Sequence, residues 1–222
     1  MKYLLPFVVL FLLAACQEAK NDEPLPPHSK LVQIPLIDSL GIITIAVPER
    51  YDTCYSWTYT SDCGRNCNSQ CYRYQSKALR IVHEFDAWGP QLRGDTIDKF
   101  TIKHPLVMRR YGTEDTSKNI HVAYLKNVKK EAQMMGTSNK LLFDTIQKID
   151  GRYYAITVFD YSDSLQRKEV TAATIINENS LEFTYELLSA KKDSFTDYFI
   201  PEALSLLKTI RIQEERTKKP SR

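Results

Sequence analysis

The C-terminal third of the chain alternates apolar and polar residues with the period of a β-strand, and this pattern constrains the fold most. In residues 181–187, Leu, Phe, Tyr and Leu alternate with Glu, Thr and Glu. One face of this strand is therefore predicted to pack in the core and the other to be exposed to solvent. This segment is predicted to pair with residues 170–176. Residues 143–149 and 152–161 flank Asp150-Gly151, a dipeptide suited to the positive φ angles of a tight hairpin turn. Four antiparallel strands are therefore predicted in sequence.

Two helices are predicted beside these strands. Residues 117–136 have Ser117 as an N-cap and Gly136 as a stop, and their apolar face holds Ile120, Ala123, Tyr124, Val128, Ala132 and Met135. A second helix in residues 193–212 has Pro201 at the first position of a helical segment. Its sheet-covering face is predicted to hold Phe195, Tyr198, Phe199, Ala203, Leu206 and Leu207. Earlier strands are predicted at 41–47 and 55–60, whereas residues 89–112 look irregular.

Three stretches resemble the PsbP and Mog1-like superfamily. The hairpin IDGRYYAITVFDYSD leading into NENSLEFTYELLS, and the closing DSFTDYFIPEALSLLKTIRI, are similar to its C-terminal half, while ITIAVPERYD is similar to its first strand and proline turn. The resemblance implies an α+β fold in which an antiparallel β-sheet is flanked by helices, as an α/β/α sandwich. Members mostly serve as accessory, binding or assembly proteins, and the resemblance assigns no functional residue.

The N-terminus has the layout of an export signal. Residues 1–15 begin with Met1-Lys2 and continue with an uncharged apolar run, which is too short to span a bilayer and is typical of a cleaved signal peptide. The segment Leu13-Ala14-Ala15-Cys16 resembles a bacterial lipobox, which implies that Cys16 becomes the first residue and carries palmitate or a similar lipid. The alternative is an ordinary small-residue cleavage site that contains a cysteine.

Residues 16–30 are predicted to be the lipidated cysteine and a flexible tether, because they are polar and rich in proline. Their acidic residues are similar to the export tags of Bacteroidetes surface lipoproteins, although a solvated linker is also acidic. A single domain is predicted over residues 31–212, followed by a polar tail at 213–222. We therefore expect a protein that is lipid-anchored at the outer membrane or cell surface, on the periplasmic or extracellular side.

Four cysteines lie in the segment predicted as a cysteine-rich loop, residues 54–71. Eight, three and three residues separate Cys54, Cys63, Cys67 and Cys71. In an exported protein these most simply form two structural disulfides. A four-thiolate metal site or a thiol-redox pair are the alternatives, although no C-x-x-C is present. Of the three pairings, the nested one, Cys63 with Cys67 and Cys54 with Cys71, suits a hairpin-like excursion.

Aromatic residues surround this loop and form either core or an exposed binding surface. The candidates for a binding surface are Tyr55, Trp57, Tyr59 and Tyr72; Tyr51 and Tyr74 belong to the same aromatic group. Since Tyr and Trp are favoured at interfaces, these side chains are the predicted contact with an envelope protein partner.

No sequence motif indicates catalysis. The chain lacks G-x-S-x-G, H-E-x-x-H and a phosphate-binding glycine loop, and it has only 7 glycines. Removal of Lys2 lowers the formal net charge from +3 to +2, which predicts no nucleic-acid partner. We expect no cofactor, no metal ligand set and no enzyme activity. The sequence predicts a membrane-anchored accessory or binding module, and the alternative is a metal-binding or thiol-redox protein that uses the four later cysteines.

Overall fold

The computed structural model describes residues 24–37, 40–62, 67–79, 96–106, 117–134, 140–161, 165–176 and 179–214. The strands are β1 (Ser29–Leu36), β2 (Gly41–Pro48), β3 (Thr53–Tyr59), β4 (Ser69–Gln75), β5 (Ile97–Pro105), β6 (Lys140–Ile149), β7 (Arg152–Asp160), β8 (Gln166–Ile176), β9 (Asn179–Ser189) and β10 (Arg211–Gln213). The helices are α1 (Lys118–Met134) and α2 (Ser194–Leu207), with a short 3-10 helix at Lys77–Leu79.

The strands form two antiparallel sheets. The small sheet has the order β1-β2-β10, and the large sheet has the order β3-β4-β5-β9-β8-β7-β6. The four consecutive strands β6 to β9 are neighbours in the large sheet, as the sequence predicts. Asp150 and Gly151 join β6 to β7 with φ angles of 48° and 80°, so the predicted tight turn with two left-handed residues is confirmed.

The predicted α/β/α sandwich is wrong. The described residues contain ten strands and only two α-helices, so the protein is mostly β-sheet. Helix α2 packs on β8 and β9 but also on β2, and the small sheet therefore shares its layer. The sequence pattern does not reveal this layer because β1 contains Pro35 and begins at Ser29, inside the segment predicted as a tether, and because β10 has only three residues.

The main hydrophobic core lies between α2, the small sheet and one face of the large sheet. Phe183, Tyr185 and Leu187 alternate along β9 and are each at most 1 % exposed. The rings of Phe100 and Tyr185 stack across β5 and β9 with centroids 4.3 Å apart. On the side opposite the large sheet, the small sheet closes this core through Ile43 and neighbouring buried side chains.

Helix α1 begins where the sequence predicts. The backbone N–H of Asn119 donates to Ser117 Oγ over 3.3 Å, as an N-cap requires. The buried side chains are His121 and Leu125, so the packed face is rotated from the predicted one, and Ala123 is exposed. His121 Nε2 lies 2.7 Å from the carbonyl oxygen of Tyr153, a contact that joins α1 to β7.

Helix α2 begins with a capping box formed by Asp193 and Thr196. Pro201 lies inside the helix rather than at its first residue, where its missing N–H costs one intrahelical hydrogen bond. Tyr198 is 63 % exposed, whereas Phe199 and Leu207 are buried as predicted. Residues 97–105, predicted as irregular, form β5. Neither described helix is long and apolar enough to cross a membrane.

A charged junction fastens the turn after β2 to β5 and α2. The Arg50 guanidinium donates through Nε to Asp98 over 2.6 Å and through Nη1 and Nη2 to Glu202 over 2.8 and 2.6 Å. The Tyr51 hydroxyl also hydrogen-bonds to Asp98. Burial raises the pKa of the Asp98 carboxyl above its usual value, and the nearby Arg50 charge opposes this shift. The junction therefore links three elements that are distant in sequence.

Candidate functional site

The large sheet has a second face that is polar, and α1 rather than α2 lies on it. Helix α1 packs on β6 and β7. We call this side the polar face. On β3, β4 and β5 it includes Thr53, Tyr55, Trp57, Tyr59, Ser69, Cys71, Arg73, Gln75, Ile97, Lys99, Thr101, Lys103 and Pro105. On β9 and β8 it continues through Glu182, Thr184, Glu186, Arg167, Glu169 and Thr171.

A row of threonines crosses the middle of the polar face. Thr101 lies opposite Thr184, Thr184 opposite Thr171, and Thr171 opposite Thr157. The hydroxyl oxygens of Thr171 and Thr184 are 3.1 Å apart and share a hydrogen bond. Cross-strand pairs of this kind stabilise a sheet, so this face is held by polar contacts between neighbouring strands.

Charge changes sign across the polar face. Its β3, β4 and β5 part carries three cations, Arg73, Lys99 and Lys103, and no carboxylate. Its β9 and β8 part carries three carboxylates, Glu182, Glu186 and Glu169, and one cation, Arg167. The boundary is bridged by Lys99, whose Nζ lies 3.0 Å from Glu186 Oε2. We call the β3, β4 and β5 part the basic end.

Three of the four predicted binding residues lie together on the basic end. Tyr55, Trp57 and Tyr59 occupy alternate positions of β3, the outermost strand of the large sheet in the described residues. Tyr55 and Trp57 are partly buried and Tyr59 is 36 % exposed. The three side chains form a line along one strand, which we call the aromatic row.

Two cations from neighbouring strands contact the aromatic row. The Arg73 guanidinium carbon lies 4.9 Å from the centroid of the Trp57 ring, and Arg73 is only 1 % exposed. Lys103 Nζ lies 5.6 Å from the centroid of Tyr59, and it reaches from β5 past β4, where Ser69 and Cys71 have small side chains. Both contacts are within cation–π range. The sequence does not show that Arg73 and Lys103 contact these rings, because only strand register brings them together.

Tyr72 does not belong to the aromatic row. It lies opposite Ser56 on β3 and Ile102 on β5, so it is on the core side of the large sheet, and it is 8 % exposed. Its ring stacks near His104 with centroids 6.1 Å apart. Since neighbouring positions of a strand point to opposite faces, the even-numbered Tyr72 is buried opposite Ser56 while the odd-numbered aromatic residues of β3 line the polar face.

The strand register also separates Cys54 from Cys71. Cys54 lies opposite Tyr74, and Cys71 lies opposite Trp57, so the two residues are on opposite faces and three positions apart along the ladder. This offset is about 10 Å at ~3.3 Å per residue, which exceeds the reach of a disulfide. The favoured pairing of Cys54 with Cys71 is therefore wrong, and Cys54 is a free, exposed cysteine. The two thiols are also too far apart to share one metal ion.

The remaining cysteines lie at or beyond the limits of the described residues. Cys67 is disulfide-bonded, whereas Cys63 and the predicted lipid attachment at Cys16 lie outside the described residues. Partial shielding of the sulfur from water raises the pKa of the Cys54 thiol, and a hydrogen bond with Tyr74 opposes this shift. Within the described part of the chain, no group of three or more His, Cys, Asp and Glu side chains could hold a metal ion.

A cavity of about 240 Å³ lies between α1 and the acidic part of the polar face. Its lining includes Tyr124, Thr157, Glu169, Thr171, Glu182 and Thr184. Burial raises the pKa of both Glu169 and Glu182, and the like charge of Glu186 raises that of Glu169 further. Burial likewise raises the pKa of Tyr161 to about 12. The cavity therefore holds carboxyl groups that favour the protonated form more than exposed ones do.

Comparisons with known proteins identify neighbours in structure alone. No family model and no curated protein matches the sequence. The solution structure of cyanobacterial PsbP (CyanoP) from Synechocystis sp. PCC 6803 is similar to this chain with a TM-score of 0.43 and 11% identity, over 86% of this chain and 96% of that one. A protein of unknown function from Pseudomonas aeruginosa is similar with a TM-score of 0.37 and 8% identity, over 83% and 99%.

Proposed function

We propose that this protein is an exported lipoprotein that acts as a non-catalytic binding module of the cell envelope. Cys16 fastens the chain to the membrane, the residues between Cys16 and β1 supply reach, and the basic end of the polar face contacts a protein partner. The single observation that carries this proposal is the aromatic row on β3, in which Trp57 and Tyr59 are contacted by Arg73 and Lys103.

The aromatic row suits recognition for two physical reasons. Large aromatic side chains contribute much contact area at interfaces and lose little conformational freedom on binding. Contacts with Arg73 and Lys103 restrict the rings before a partner arrives, which lowers the entropy cost of association. Helix α1 contacts β6 and β7 at the other end of the large sheet, and neither described α-helix has extensive contact with β3.

A capture experiment with the full chain tests the proposed contact. The tagged lipoprotein and its Trp57→Ala variant are expressed in the native envelope, cross-linked, and purified from membranes. We expect Trp57→Ala to lose most of the partner. Tyr198→Ala is the matched control, because Tyr198 is an aromatic side chain that is 63 % exposed on α2, and this variant should keep the partner. Equal recovery with both variants, when both are folded by circular dichroism, contradicts the proposal.

The anchor is tested separately by intact-mass measurement of the membrane-purified protein. Acylation predicts a mature chain that begins at Cys16 and carries the added mass of its acyl groups. Replacement Cys16→Ser is expected to move the protein from the membrane to the soluble fraction, since each buried methylene contributes about 0.8 kcal/mol to membrane binding. An unmodified Cys16 in the wild-type protein contradicts the lipoprotein assignment.

A further inference from the structure

The cations of the basic end determine which charge a stacking ligand can carry. An aromatic ring attracts cations to its face because the face carries negative potential. In Trp57 that attraction is already used by Arg73, and in Tyr59 by Lys103. A second cation that approached these rings would meet the repulsion of the first one. An anionic group would instead be attracted by the cation that is already in contact with the ring.

The rest of the basic end has the same charge preference. Side chains of β3, β4 and β5 on the polar face include three cations and no carboxylate. Lys99 is paired with Glu186, and Arg73 is buried, so Lys103 is the exposed cation beside the aromatic row. Lys103 also lies opposite Glu182 on β9. Burial raises the pKa of that carboxyl, and the Lys103 charge opposes this shift. The carboxylates of β9 lie on the far side of Lys99 and Lys103. An acidic ligand at β3 is therefore complementary in charge, and Lys103 is its nearest exposed partner.

The spacing of the rings matches an extended polypeptide. Tyr55, Trp57 and Tyr59 are two residues apart along β3, so successive rings are about 6.7 Å apart. Alternate side chains of a second extended chain have the same repeat. A strand that runs along β3 would thus place its own side chains next to each ring in turn.

From these observations we propose that the basic end binds an extended, acidic polypeptide segment, one face of which carries both the carboxylates that meet Lys103 and the side chains that stack on the aromatic row. This inference rests on the proposed function, and it adds the chemistry of the partner. It also makes Lys103 the residue that determines charge specificity.

Two synthetic peptides test the charge preference. Each has seven residues, the length of β3: Tyr-Ser-Glu-Ser-Tyr-Ser-Glu is the Glu peptide and Tyr-Ser-Lys-Ser-Tyr-Ser-Lys is the Lys peptide. In both, the charged and the aromatic side chains lie on the same face of an extended chain. Fluorescence anisotropy with the full mature protein measures their binding. We expect the Glu peptide to bind at least about tenfold more tightly than the Lys peptide. Its affinity should fall as the salt concentration rises from about 50 to about 300 mM. Equal binding of the two peptides overturns the proposal.

Charge reversal then locates the site. Lys103→Glu is expected to lower the affinity for the Glu peptide by about tenfold and to raise the affinity for the Lys peptide. Lys126→Glu is the matched control, since Lys126 is an exposed lysine on α1, and it should change neither affinity by more than about twofold. If Lys126→Glu weakens the Glu peptide as much as Lys103→Glu does, binding follows net charge and the proposed site is wrong.

Phosphatidylglycerol vesicles are the remaining comparison. The vesicles are tested for competition with the Glu peptide and for dependence on Lys103. If they compete through Lys103 and bind more tightly than the Glu peptide, the face binds lipid and the polypeptide assignment is overturned. The proposed function is judged by the membrane capture with Trp57→Ala. Partner loss in that capture without any preference for the Glu peptide would therefore reject only the acidic-segment inference.

Discussion

The two faces of β9 carry opposite chemistry in the same eleven residues, and each face meets a different layer. On one side, Phe183, Tyr185 and Leu187 are buried against α2 and the small sheet. On the other side, Glu182, Thr184 and Glu186 belong to the polar face and are only partly buried. The strand period of two separates these sets. One face therefore depends on close packing, and the other depends on hydrogen bonds and ion pairs between neighbouring strands.

Under the proposed function, this difference separates stability from recognition. The core side is sealed by two layers of apolar side chains, so its residues determine the free energy of unfolding. The polar face packs against α1 at β6 and β7 and borders the α1 cavity at β8 and β9. Its surface residues can change with little loss of stability, which is what a surface that adapts to a partner requires.

The largest expected effect comes from neighbouring residues of β9 on opposite faces. Phe183→Ala removes a fully buried ring, leaves a cavity, and should lower the free energy of unfolding by about 3–5 kcal/mol. Thr184→Ala removes a hydroxyl that hydrogen-bonds to Thr171 and should cost about 1 kcal/mol. Urea denaturation of both variants measures the difference. Equal losses would show that the two faces contribute alike to stability.

A smaller effect is expected at the charged junction beside the core. Arg50→Met leaves the Asp98 carboxylate, which is 7% exposed, without its guanidinium partner. Breaking a buried pair costs about 3–5 kcal/mol, but the Arg50 side chain is 34% exposed, so we expect about 2 kcal/mol because solvent screens part of the interaction.

The matched control for this substitution is Arg211→Met. Arg211 Nε lies 3.7 Å from Asp150 Oδ1, and both side chains are more than 40 % exposed, so this loss should stay below about 0.5 kcal/mol. Thermal unfolding of the two variants distinguishes the junction from an ordinary surface pair. A loss at Arg50 as small as that at Arg211 would show that Asp98 is adequately solvated without its partner.

Local elements of this fold could be predicted from the sequence, but contacts between distant strands could not. The hairpin at Asp150-Gly151 and the N-cap Ser117 depend on residues a few positions apart, and both are confirmed. The assignment of Tyr72 to the binding surface and of Cys54 to a disulfide with Cys71 failed because both depend on the register of β3 and β4. A register error of one residue reverses the face of every side chain.

The smallest predicted effect concerns a pair of like charges on the polar face. Glu169 lies directly opposite Glu186 across β8 and β9, and like charges in this position destabilise a sheet. Burial, together with Glu186, raises the folded-state pKa of Glu169 above its ordinary value of 4.5. The folded protein thus binds this proton more tightly than the unfolded chain, and stability falls as pH rises from about 4.5 through the folded pKa.

Glu169→Gln should therefore stabilise the protein by roughly 0.2–1 kcal/mol at pH 7.5 and have almost no effect at pH 4, where both states of the wild-type carboxyl are largely protonated. The amide oxygen of Gln can still accept the hydrogen bond that Thr171 donates to Glu169 over 3.2 Å. Glu186→Gln removes the same repulsion but also the ion pair with Lys99, so its gain should be smaller. Urea denaturation at the two pH values tests this order. An equal gain for Glu169→Gln at pH 4 would show that repulsion between carboxylates is not the cause, because the carboxylates are largely neutral there.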